Sequence, residues 1–161
     1  MHVPTLEVDD TGLQNMIRGA TAAFQDLSPV WIEIRQIYMD FIKEHFNSQG
    51  SYTGEPWQPL SPNYAAWKAA HMPGVGILRG LSDNLYGSLT SIGHAQSIFR
   101  STPLWMEYGT SVFYARIHQT GSIRVQGRPP KRIVIPKMTQ AEGERVVDAM
   151  AAYLLKRMRT G

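Results

Sequence analysis

Between Tyr108 and Gly121 the chain reads Tyr-Gly-Thr-Ser-Val-Phe-Tyr-Ala-Arg-Ile-His-Gln-Thr-Gly, framed by Gly109 and Gly121. Glycine adopts backbone angles that other residues resist, so these two positions mark turns into and out of the segment. Between them lie Phe113, Tyr114, Ala115 and Ile117, followed by the polar pair His118 and Gln119. That pattern predicts a short buried segment with a polar exit. The preceding run, Leu104 to Tyr108, is strand-like, and Ser122 to Lys137 is a strongly basic hairpin. Helical periodicity is clearest at the two ends of the chain. The expected class is α+β: an N-terminal helix pair and a C-terminal helix packed on a mainly antiparallel sheet, with an extended basic hairpin.

Leu6 to Val8 reads as a short edge strand. Leu13, Met16, Ile17, Ala20, Phe24 and Leu27 then fall on one helical stripe capped by Asp10 or Thr11. Ser28-Pro29 signals a second helix, with Ser28 as its cap. This helix carries two apolar rows, Val30, Ile34, Ile37, Phe41 and His45, and Trp31, Tyr38 and Ile42. Two rows require packing on two sides, by its own domain or by a neighbouring subunit. The prolines and glycines of residues 47–62 predict an irregular loop pinned at Trp57 and Leu60, and Ser61-Pro62 starts a short helix. Helices are therefore expected near 11–26, 29–46, 62–70 and 139–158, with a sheet drawn from 88–136. Ser88–Ile92 is expected to pair with Ser97–Arg100, and Ser122–Gln126 with Lys131–Pro136. The last helix opens on a Thr139/Glu142 capping box.

Length and composition bound the rest. One domain spanning 1–161 is the expectation, and no cysteine is present, which excludes disulfides and thiolate chemistry. No apolar run is long enough to cross a bilayer, so no membrane association is expected and the chain should be made in the cytoplasm. Charge is uneven. Residues 1–99 hold five basic and nine acidic side chains, whereas residues 100–137 hold seven basic ones against Glu107 alone. Opposed blocks suit head-to-tail contact between copies, or contact with something acidic. The bland alternative is a solvated basic hairpin.

Nothing in the sequence assembles a catalytic centre. The five histidines share no metal-ligand spacing, nucleotide-binding glycine motifs are absent, and no metal or cofactor is expected. His118 and Gln119 read as structural groups bonding backbone at a tight corner. A DNA-binding accessory protein using residues 100–137 is the alternative reading, though the basic stretch has few interleaved aromatics.

Several stretches, in order, resemble the phage virion morphogenesis family, the tail-completion proteins of Mu-like and related contractile-tailed phages. They are Gly54-Glu55-Pro56-Trp57-Gln58-Pro59-Leu60-Ser61, Ile77-Leu78-Arg79-Gly80 leading to Leu85 and Ser88, Tyr108-Gly109-Thr110, and Tyr114-Ala115-Arg116-Ile117-His118-Gln119-Thr120-Gly121. Two positions depart from the family pattern: Arg79-Gly80 stands where a Thr-Gly pair is usual, and Pro130-Lys131-Arg132-Ile133-Val134 replaces Pro-Ala-Arg-Pro-Phe. The resemblance implies a non-enzymatic protein of the phage neck or tail top, assembled in the host cytoplasm and carried in the virion. It implies a ring, a hexamer or other cyclic oligomer, that completes the head–tail junction beside connector, tail terminator or tail tube proteins. Trp57, Leu60, Gly109, Tyr114, His118, Gln119 and Gly121 would be its structural motif. Arg124, Arg128, Lys131 and Arg132, at the hairpin tip, would meet a partner or lumenal DNA. Adhesion between copies is expected from Trp31, Tyr38 and Ile42.

Overall fold

The computed structural model describes residues 11–80, 82–121 and 130–160. The expected strand at Leu6–Val8, the cap at Asp10, the strand at Ser122–Gln126, and Arg124 and Arg128 lie outside them. In chain order the elements are α1 (Thr11–Gln25), α2 (Ser28–Asn47), a 3-10 turn (Ser51–Thr53), α3 (Pro62–His71), α4 (Asn84–Thr90), β1 (Ser97–Thr102), β2 (Trp105–Thr110), α5 (Ala115–Thr120) and α6 (Gln140–Thr160). The class is α+β, with helices outweighing a two-stranded antiparallel sheet.

α2 is the axis. Both of its apolar rows are covered within the chain: Trp31 is 8% exposed, Ile34 3%, Phe41 1% and Ile42 0%. Its first half packs with Ala149 and Val146 of α6 and with Phe99 and Met106 of the hairpin. Its second half packs with Leu85 and Leu89 of α4, Trp57, Val112, Ala115 and Val134. Trp31 also donates its indole N–H to Thr102 O at 2.9 Å, and the Tyr38 ring lies 5.6 Å from that of Tyr108. Trp31 and Ile42 are core and Tyr38 is packed against it, so none of them supplies an adhesive surface between copies. Each buried side chain of this size contributes about 1.5–3 kcal/mol of apolar transfer.

Several local expectations are corrected. Ser28 is the first residue of α2 rather than its cap; the Asp26 carboxylate accepts from Ser28 N–H at 2.9 Å instead. Ser88–Ile92 is not a strand. Residues 84–90 are helical because Leu85 and Leu89, one turn apart, both point into the core at 1% exposed. β1 therefore pairs with β2, Ser97 opposite Thr110 through Thr102 opposite Trp105. Lys131–Pro136 joins no strand among the described residues and bends at Val134–Ile135; Arg132 N–H goes to His118 O at 2.9 Å, and the polar groups of residues 133–135 go to side chains, as set out below. Gly109 lies inside β2 opposite Ile98 with open space where a side chain would point, so it is an ordinary strand residue. Gly121, by contrast, has φ +70°.

The loop after α2 returns sharply. Gly50 has φ +88°, and a Cβ there would lie 2.2 Å from Glu55 O and 2.8 Å from the Trp57 ring, so only glycine fits. Trp57 N–H then donates to Gln49 O at 2.8 Å, turning the indole back onto α2. The Thr139 hydroxyl donates to the Glu142 carboxylate at the start of α6, and Tyr52 OH donates to the other oxygen at 2.6 Å. Burial works to raise the pKa of Glu142, but these two bonds, together with a backbone hydrogen bond and the charge of Arg145, hold the carboxyl below its ordinary value.

α1 is the outlier. It packs on α6 through Gly19 and Ala23, its two buried residues. The larger residues of its stripe face away: Leu13 is 60% exposed, Ile17 56% and Phe24 60%. The stripe expected to enter the core is thus an outer surface.

Candidate functional site

The corner after α5 is built on Gln119. Its Oε1 accepts from Val134 N–H (2.8 Å) and Ile135 N–H (2.9 Å), and its Nε2 donates to Ile135 O at 2.9 Å. One amide thus replaces a neighbouring strand for residues 134–135. The Ile133 carbonyl is satisfied likewise, receiving the Trp57 indole N–H at 2.7 Å and His45 Nε2–H at 2.8 Å. His45 is fully buried, with its ring edge-on to Trp57. Burial holds its pKa below the ordinary value against the opposing pull of the Ile133 carbonyl and Glu55, so the imidazole is neutral at neutral pH. His118 takes a different part from the one expected. Its ring packs edge-on to Tyr114, and its Nδ1 is buried with no hydrogen-bond partner among the described residues.

Arg132 is not at an exposed tip. It is 4% exposed, and its guanidinium donates to Gln58 O (2.9 Å) and Pro59 O (3.1 Å), pinning the Pro-rich loop. Lys131 beside it is exposed. Lys68, also 4% exposed, donates to Gly76 O (2.6 Å) and Arg79 O (2.7 Å). Arg79 in turn grips Asp83 through Nε and Nη2 and lies over the Tyr86 ring, 3.9 Å from its centre. Burial lowers the pKa of Lys68, and Arg132 adds to the effect while Asp83 opposes it. Burial also lowers those of Arg132 and of His118, the latter helped by Arg132. Asp83 is raised by burial but lowered more by Arg79 and the Gly80 N–H, and ends below the ordinary carboxylate range.

These groups line one cavity of about 510 Å³, together with Leu60, Leu78, Leu85, Tyr64 and Tyr114. The structure therefore brings Trp57, Leu60, Tyr114, His118, Gln119, Gly121 and Arg132 to a single corner and leaves Gly109 in the hairpin. Sequence reasoning missed Lys68, because a lysine on a short helix reads as solvated. It also missed the Arg79–Asp83 pair, whose spacing of four was the available signal. Among the described residues no group of three or more His, Asp or Glu is placed to hold a metal, and no helix is long and apolar enough to cross a membrane.

The sequence model of the phage virion morphogenesis family matches residues 8–155. Neither a curated protein nor a solved structure matches the chain.

Proposed function

The chain belongs to the phage virion morphogenesis family, and from that premise we propose that it forms a ring completing the head–tail junction at the neck or tail top. Membership itself gives the coarser statement: this is a virion-associated morphogenesis protein, and the family points to a structural role.

The observation that supports a ring is the outer face of α1. Four apolar side chains, Leu13, Met16, Ile17 and Phe24, are each 44–60% exposed on one helical stripe. A further apolar pair, Leu104 and Trp105, is exposed at the tip of the β1–β2 hairpin. That tip adjoins the end of α1, since Leu27 N–H donates to Pro103 O at 2.8 Å. A patch of this kind on a soluble domain marks a surface that is covered in the assembly. A closed ring takes heterologous contacts, one patch of each copy against a different patch of the next, and the opposed charge blocks orient such contacts. The ring would be a hexamer or other cyclic oligomer, seated against connector, tail terminator or tail tube proteins. Among the described basic residues of 100–137, Arg132 is buried, and Arg100, though exposed, lies 3.5 Å from Glu107. This weakens the reading of that stretch as a DNA-binding face.

The test is Ile17→Asp with Phe24→Asp. Sedimentation velocity of wild type should show a cyclic oligomer and the variant a folded monomer. Lysates of phage carrying the variant should accumulate separate heads and tails. A variant that assembles, and phage that remain infective, would remove the α1 face from the joint.

A further inference from the structure

Among the described residues, the cavity beside the Gln119 corner is lined by more positive than negative charge. Three cations, Lys68, Arg79 and Arg132, line it with Asp83 as the single carboxylate among the described residues, and Asp83 is gripped by Arg79 while its charge also acts on Lys68. Lys68 and Arg132 are each 4% exposed and bonded only to backbone carbonyls among the described residues. From Tyr108 to Ala141 the sequence contains no acidic residue, so none of the residues flanking Arg132 in sequence is a carboxylate. Buried cations that outnumber their counter-charges are costly, and a carboxylate entering the cavity would relieve that cost while giving His118 Nδ1 a polar neighbour.

We propose that this cavity receives a carboxylate-bearing, apolar polypeptide segment, supplied by the N-terminal stretch Leu6-Glu7-Val8-Asp9-Asp10 of a second copy. The shape decides against nucleic acid. Duplex phosphates meet exposed lysines and arginines on an open face, whereas Lys68 and Arg132 are each 4% exposed and line a concave site. The size decides against a bare anion. At about 510 Å³ with leucine and tyrosine walls, the cavity suits an acidic side chain together with an apolar neighbour. Leu6 to Asp10 alternates those two chemistries. Taking the segment from a second copy rests on the ring reading; the chemistry of the cavity does not.

The test uses the full chain carrying Glu7→Gln, Asp9→Asn and Asp10→Asn, so that its own segment does not compete. It is titrated with a labelled peptide of residues Pro4–Asp10, followed by fluorescence anisotropy. Saturable one-to-one binding is expected, about tenfold weaker for the same peptide with Glu7→Gln, Asp9→Asn and Asp10→Asn. Binding should weaken by a similar factor when Ser82→Glu, at the exposed rim, supplies a carboxylate in place of the peptide, a change that leaves the Lys68 and Arg132 bonds intact. No binding, equal binding of the neutral peptide, insensitivity to Ser82→Glu, or displacement of the peptide by duplex DNA at lower concentration than by free acidic peptide would each overturn the assignment. The α1 substitutions leave this lining untouched, so the ring reading stands or falls separately.

Discussion

Replacing Gln119 by alanine removes three hydrogen bonds at once, and the loss can be worked through group by group. Val134 is 1% exposed, so its N–H, now 2.8 Å from Gln119 Oε1, would be left without a partner or water. An orphaned buried donor costs about 1–3 kcal/mol. Ile135 is half-buried, and water can partly replace the bonds to its N–H and carbonyl, so each contributes about 0.5–1.5 kcal/mol. Set against this are side-chain entropy regained and a gain of a few tenths of a kcal/mol in helix propensity. The expected net loss is about 2–4 kcal/mol, read as a lower urea midpoint at unchanged slope by tryptophan fluorescence. Gln119→Glu keeps the acceptor that two N–H groups use but turns a second oxygen toward Ile135 O, so it should recover only part of the loss. A loss below about 1 kcal/mol for Gln119→Ala, or equal losses for both variants, would refute the view that this amide stands in for a strand.

The remaining predictions concern the buried histidine and the α1 seam. His45 has its pKa lowered chiefly by burial, so the unfolded chain binds the proton more readily; stability is complete above the unfolded value of 6.5 and declines as pH falls through it. Urea midpoints should drop between about pH 7 and pH 5, with a shallower drop in His45→Asn, and a flat profile in the wild type would contradict the burial argument. Gly19→Val should detach α1 from α6, because a Cβ at position 19 would lie 2.5 Å from the backbone oxygen of Arg157 and valine offers little helix propensity in return. Amide exchange should then accelerate across Thr11–Gln25 while α2 stays protected; unchanged exchange in α1 would show that the seam yields.

The helices were legible where periodicity and proline agreed. α1, α2, α3 and α6 fall within about two residues of their expected bounds. The start of α4 was legible as a short helical or turn piece through Leu85 and Tyr86, but its second half reads as a strand because Ser88, Thr90 and Ile92 favour strands locally, while the deciding fact is the i, i+4 pair Leu85 and Leu89 against α2. The stretch 131–136 shows another kind of miss. Arg132, Val134 and Pro136 are buried in strict alternation, so the strand-like pattern was present. What sequence could not show is that its hydrogen bonds run to Gln119, His45 and Trp57 instead of to a second strand. The corner motif was visible as a stretch, yet the two cations that hold its loops, Lys68 and Arg132, were not. Charged residue types carry a strong prior for the surface, and only the three-dimensional convergence of four backbone carbonyls overrides it.

The α1 stripe carries the same lesson for assembly. Periodicity fixes which residues share a face but not what covers that face, and here the small residues Gly19 and Ala23 turn inward while the large ones turn out. Small residues let the α1 and α6 backbones approach closely, giving a seam with little apolar area. A 15-residue helix is marginal by itself in water, so α1 relies on α6 and on whatever covers its outer side. In the proposed ring, the contact that joins copies would also stabilise the element that makes it. Ordering of α1 and closure of the ring would then be thermodynamically coupled, each favouring the other. Such coupling suits a joint that must stay open to its neighbours until every copy is in place.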